Sequence, residues 1–178
     1  INSQFYLYCE NNLITSVNWN NLTRPLFLYA DNNLLTGFDF SDMEYALQIE
    51  CSNNPISTIN TGNYHQLIYL ECNNTPVTSI DISGNSGCEI FYARNNPNLT
   101  TLILKDAVDV DPDMGDMWDA FYFDNNPTLQ YVCVSENRLV MAQNSLNGWG
   151  YTNVVLNSYC DFNPGAVFYT VQGTNKLD

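Results

Sequence analysis

Pairs of neighbouring asparagines recur along the chain at Asn11-Asn12, Asn32-Asn33, Asn53-Asn54, Asn73-Asn74, Asn95-Asn96 and Asn125-Asn126. Aligned on the apolar residues around them, the first five copies advance by 21 residues. A fixed period of that length defines a solenoid, because a unit so short buries its apolar face only by stacking on its neighbours. Each repeat position then becomes a column of side chains, so core and surface are both read column by column.

Two copies of a half-repeat, L-x-x-L-x-L-x-x-N with L any apolar residue, fill each unit. The first half contributes Leu7 and Cys9, Leu28 and Ala30, Ile49 and Cys51, Leu70 and Cys72, Phe91 and Ala93, and Phe121 and Phe123. The second contributes Val17 and Trp19, Phe38 and Phe40, Ile59 and Thr61, Ile80 and Ile82, Leu102 and Leu104, and Val132 and Val134. Alternation over a few residues predicts a short strand with one buried face. Two such strands per coil predict a β-rich solenoid of about six coils, with parallel strands on two faces around a thin apolar core. Asn12, Asn33, Asn54, Asn96 and Asn126 follow the first strand, where an inward amide can bond backbone groups of adjacent coils; Thr75 replaces it once. Thr15, Thr36, Ser57, Thr78 and Thr100 form a further column, predicted to cap the turn before the second strand.

This layout resembles the leucine-rich repeat family, in particular a short bacterial subclass whose 21-residue unit consists of two nested half-repeats. The resemblance covers roughly Gln4 to Asn137, with Cys, Ala, Phe and Trp often standing where Leu is usual. It implies a recognition scaffold without fixing the ligand. It also implies a place in a secreted or cell-surface bacterial protein, including those exported by the type IX route, where such a block precedes further modules.

Nineteen acidic against five basic residues give a formal charge of −14. Phosphate backbones and anionic membranes are repelled by such a surface, so no nucleic acid is expected as a partner. No apolar run approaches the roughly 20 residues of a membrane span. Cys9, Cys51, Cys72 and Cys88 fall at inward positions and read as small buried hydrophobes. Cys133 lies between the inward Val132 and Val134 and so points outward; pairing with Cys160 would remove an exposed thiol and imply an oxidising compartment.

The outward residues of the first strand are the candidate binding surface. Their central column reads Tyr8, Tyr29, Glu50, Glu71, Tyr92, Tyr122. Tyr6, Phe27, Gln48, Tyr69, Ile90 and Ala120 flank it on one side, and Glu10, Asp31, Ser52, Asn73, Arg94 and Asp124 on the other. The second strand offers Ser16, Asn18, Gly37, Asp39, Thr58, Asn60, Ser79 and Asp81, which are mostly small. Aromatic rings with interleaved carboxylates suit a sugar polymer or a protein with basic residues. Cross-strand stacking that merely stabilises the sheet is the plainer explanation of the same rings.

After Lys105 the period slips, because Asn96 to Asn126 spans 30 residues. The inserted Asp109, Asp111, Asp113 and Asp116, with Pro112 and Gly115, either wrap a calcium ion or form a solvated acidic loop. From Asn137 to Gly148 the spacing of Leu139, Ala142 and Leu146 predicts a helix ended by Gly148, and Asn153 to Cys160 a closing strand. The expected organisation is a solenoid over 1–137, opening inside a repeat, a cap over 138–163, and a linker with the first strand of a following domain over 164–178. Functionally, the expectation is a noncatalytic, extracellular or cell-surface recognition or adhesion module for a protein or glycan, with no metal or other cofactor unless calcium. A spacer, or a cargo region held by secretion machinery, is the alternative. A β-helix polysaccharide lyase, with Arg94 and Lys105 as its basic groups, is the enzymatic one.

Overall fold

The computed structural model describes residues 4–18, 26–39, 46–62, 67–107 and 121–160. In chain order the elements are β1 (Phe5–Tyr8), β2 (Leu26–Tyr29), β3 (Gly37–Asp39), β4 (Ala46–Glu50), β5 (Thr58–Asn60), β6 (Tyr69–Glu71), β7 (Ser79–Asp81), β8 (Ile90–Tyr92), β9 (Thr101–Ile103), β10 (Phe121–Tyr122), β11 (Tyr131–Cys133), α1 (Leu139–Gly148) and β12 (Val155–Asn157). They form a parallel β-solenoid of about six turns with roughly 21-residue spacing. The first strands make one sheet in the order β1-β2-β4-β6-β8-β10. On the other side the second strands divide into β3-β5 and β7-β9-β11-β12. Leu28, Ile49, Leu70, Phe91 and Phe121 from one side meet Ile80, Leu102 and Val132 from the other in a single core. Trp19, Phe40 and Ala120, assigned above to strand columns, lie outside the described residues.

Both asparagines of each pair have backbone reasons to be there. The outer ones, Asn11, Asn32, Asn53, Asn74, Asn95 and Asn125, sit at φ between 55° and 58°. Most residues with a Cβ are strained in that left-handed region, and Asn tolerates it better than others. In the fourth coil Asn74 and Thr75 fill the two turn positions, and Asn73 lies between the end of β6 and that turn.

The inner asparagine reaches back across the coil boundary. Asn54 Nδ2 donates to the carbonyls of Ala30 at 2.9 Å, Cys51 at 3.1 Å and Ser52 at 3.2 Å, while its Oδ1 accepts from Leu35 N at 3.0 Å. Asn33 repeats this with Cys9, Ala30, Asp31 and Ile14. At Thr75 the ladder weakens. Its hydroxyl spans 3.0 Å to Asn96 Oδ1, and Asn96 Nδ2 is buried without a partner among the described residues. The threonine column behaves differently from the capping role expected of it. Ser57 Oγ and Thr100 Oγ1 donate to the Thr36 and Thr78 carbonyls of the preceding coil, so they join coils instead of capping their own turn.

The C-terminal end is closed by a short 3-10 turn (Glu136–Arg138), α1 and β12. The helix runs through Gly148 and is ended by Gly150, whose φ of 81° only glycine adopts readily. Gly150 N–H bonds Asn147 O and Tyr151 N–H bonds Leu146 O, the paired closure of a Schellman end. That puts Tyr151 in the seat of the next ladder residue. Its hydroxyl accepts from Asn126 N at 2.8 Å and donates to Phe123 O at 3.0 Å. The closing strand is shorter than the pattern predicts, and Tyr159 lies beyond it, 80% exposed.

Cys133 and Cys160 form a disulfide. Cys133 is not exposed, however: β12 runs beside β11, pairing Cys133 with Asn157, and the cap encloses the side chain completely. Cys51, Cys72 and Cys88 are free and buried, and burial raises all three thiols, that of Cys88 to about 12, so they are poor nucleophiles. Cys9, in the first coil, is only partly buried.

Candidate functional site

Strand register fixes the outward columns of the first sheet. Tyr8 pairs with Tyr29, Tyr29 with Glu50, Glu50 with Glu71, Glu71 with Tyr92 and Tyr92 with Tyr122. Beside them Tyr6, Phe27, Gln48, Tyr69 and Ile90 form the second column. Coils about 4.8 Å apart put rings on adjacent coils within stacking distance of one another.

The rings are grouped in two islands. In the first, Tyr6 stacks on Phe27 and Tyr8 on Tyr29, each pair 4.6 Å between centroids. Tyr92 sits at the centre of the second, 5.7 Å from Tyr69 and 5.5 Å from Tyr122. The cap extends this island through Trp149, which packs edge-on against Phe123 at 4.8 Å and lies 6.5 Å from Tyr122. Nothing in the 21-residue pattern marks Trp149, because it enters from outside the period.

Between the islands runs a band of carboxylates and amides. Glu50 accepts from Gln48 Nε2 at 2.7 Å. Glu71 accepts from the Tyr69 hydroxyl at 2.6 Å, Asn73 Nδ2 at 2.8 Å and Ser52 Oγ at 3.2 Å. All of these donors are neutral. Asp31, beside the band, accepts from Ser52 N at 2.6 Å. The third column is less open than alternation suggests: Ser52 is 3% exposed and Asp124 9%, because neighbouring coils close over these strand ends. Asp124 holds Arg94 in a two-pronged contact, Nε to Oδ1 at 2.6 Å and Nη2 to Oδ2 at 2.9 Å, and the guanidinium lies 5.7 Å from the Tyr122 ring centroid.

Burial raises the Asp31 carboxyl to about 6; the Ser52 N–H opposes the shift, and Glu71 and Glu10 add to it. Glu50 is raised as well, by burial first and then by Glu71, Asp31 and Glu10, with the Gln48 bond opposing. Burial and the bond to Glu71 raise the Tyr69 hydroxyl. An unfolded Asp titrates near 3.9. Between about pH 4 and pH 6 the folded chain therefore holds a proton that the unfolded chain has released, and stability falls as pH rises through that window. Thermal melts should give a higher Tm at pH 4.5 than at pH 7, and Asp31→Asn should reduce that difference; an unchanged difference in the variant would remove Asp31 as its source.

The other sheet presents two open depressions. One of about 320 Å³ is lined by Ser16, Gly37, Phe38, Asp39, Thr58 and Asn60. The second, of about 460 Å³, includes Asn60, Thr61, Asp81 and Ser83. Neither contains an aromatic island. Arg94 and Lys105 follow strands of different sheets, β8 and β9, and Arg94 is committed to Asp124. Asp109, Asp111, Asp113 and Asp116, the calcium candidates, lie outside the described residues, as does the segment 164–178. Among the described residues no group of three His, Cys, Asp or Glu side chains is placed to hold a metal. No helix among them is long and apolar enough to cross a membrane. The chain matches no protein-family model, no curated protein and no solved structure.

Proposed function

We propose that the chain is a noncatalytic recognition module that binds a protein or glycan through the aromatic and acidic face of its first sheet. The observation that carries this reading is the asymmetry of the two sheets. The first displays two ring islands around a carboxylate band, whereas β3, β5 and β7 on the opposite side present small, mostly polar residues. Stacking for stability alone would favour neither sheet. Exposed rings framed by polar groups, with Tyr8 63% exposed, are the usual chemistry of a binding surface.

The nested half-repeats support membership of the bacterial leucine-rich repeat class, and the cap disulfide favours an oxidising, extracellular or cell-surface setting. A spacer is the second reading, favoured by the side-chain ladder that ties coil to coil.

Replacement of Tyr29, Tyr92 and Tyr122 by Ala tests the assignment. On glycan and surface-protein arrays the triple variant should lose every signal the parent gives, while its melting transition persists, lowered by up to about 15 °C for four lost ring contacts. Retained array signals would eliminate this face as the binding surface; a parent with no signal at all would leave the spacer.

A further inference from the structure

We propose that the occupant of the aromatic and acidic face is a cationic segment of a protein, bound extended across the coils, with arginine or lysine side chains over Glu50 and Glu71 and its neighbours on the two ring islands. This rests on the recognition reading above and narrows its ligand.

The distances suit such a segment. From Tyr29 to Tyr92 is three coil steps, about 14 Å at the usual strand spacing. About four extended residues cover that length. A chain crossing the band thus sets one or two side chains over Glu50 and Glu71 while its ends rest on Tyr29 and Tyr92.

The chemistry selects a cation. Glu50 and Glu71 are half-buried, and their hydrogen-bond donors, Gln48, Tyr69, Asn73 and Ser52, carry no charge. No cationic side chain among the described residues pairs with either. Charge complementarity, backed by a net charge of −14, favours a basic ligand and steers its approach.

The molecule already holds one guanidinium in this manner. Arg94 lies against the Tyr122 ring while its two nitrogens grip Asp124 on the same face. A ligand arginine between Glu50 or Glu71 and the rings of Tyr29 or Tyr92 would meet the same pair of groups, a carboxylate and a π face. A neutral sugar would meet these carboxylates through hydroxyl hydrogen bonds but would leave their charge unpaired. Much of the hydrogen-bonding capacity of Glu71 is already taken by Tyr69, Asn73 and Ser52.

The test uses the whole chain with four probes: capped hexa-arginine, hexalysine and hexaglutamine peptides, and cellohexaose as the neutral glycan. Calorimetry or fluorescence anisotropy should show hexa-arginine binding at least ten-fold more tightly than hexaglutamine, and several-fold more tightly than hexalysine because only the guanidinium is planar. Glu50→Gln with Glu71→Gln should weaken hexa-arginine at least ten-fold. Asp106→Asn with Glu136→Gln, both exposed, one after β9 on the opposite side and one in the 3-10 turn of the cap, removes the same charge and should weaken it less than two-fold. If the double band variant fails to fold, Glu50→Gln alone should still weaken binding about three-fold. Equal losses in the two double variants would reduce the effect to diffuse charge and overturn the proposal, as would no binding of hexa-arginine by the parent. Cellohexaose binding that Tyr29→Ala abolishes, without binding of the cationic peptides, would also overturn it while leaving the recognition reading intact.

Discussion

Replacing Asn54 by Ala should destabilise the solenoid by about 3 to 4 kcal/mol, as much as truncating a buried core side chain. The substitution strands the Cys51 carbonyl and the Leu35 N–H at a side chain that is 2% exposed, and it takes one of two donors from the Ala30 and Ser52 carbonyls, which keep Asn33 Nδ2 and the Asn32 N–H. Each unsatisfied buried group is worth about 1 to 3 kcal/mol, and partial relaxation keeps the total below the simple sum. Urea denaturation reads the effect as a lower midpoint with little change in slope. Its neighbour provides the control. Asn53 is exposed and acts through its φ of 56°, so Asn53→Gly should be close to neutral while Asn53→Ala loses about 1 to 2 kcal/mol. Were Asn54→Ala to lose less than about 1 kcal/mol, the inward ladder would not be the device that fixes one coil on the next.

The second large effect belongs to the cap. Cys133 and Cys160 are 27 residues apart in sequence, and a closed loop of that size is worth about 3.5 kcal/mol in chain entropy. The linked segment contains α1 and Tyr151, whose hydroxyl ends the ladder on Asn126 and Phe123. Reduction, or Cys133→Ala with Cys160→Ala, should therefore lower stability by that amount and loosen the cap before the coils, which hydrogen exchange would show as early loss of protection across α1 and β12. Protection that is lost evenly along the chain would mean that the cap and the solenoid unfold as one unit.

The coils were legible in the sequence because their signals are local. Leu70 and Cys72 alternate with Tyr69 and Glu71, and a period-two pattern needs no distant partner to be read. The outward register of Tyr29, Glu50 and Tyr92 follows from the same alternation. What stayed hidden depends on contacts between coils or beyond them. Ser52 and Asp124 obey the outward alternation yet are buried by neighbouring coils. Cys133 is enclosed by a strand 22 or more residues further on. Tyr151 and Trp149 occupy a ladder seat and an island edge from outside the repeat, where no period can announce them. Gly148 and Gly150 are equivalent as helix terminators until φ is known. The left-handed outer asparagine was likewise conspicuous as a letter and silent as a conformation.

The inner asparagines also set how the molecule would age. An asparagine deamidates when the nitrogen of the following peptide attacks its side-chain amide, and a proline nitrogen, having no hydrogen, resists that ring closure. Proline follows Asn54, Asn96 and Asn126, whereas leucine follows Asn12 and Asn33. Conversion of Asn33 to a carboxylate would set an oxygen against the Cys9 and Ala30 carbonyls that its Nδ2 now bonds. Chemical wear of the ladder therefore begins in the first two coils, and the later rungs carry their own protection in the next residue.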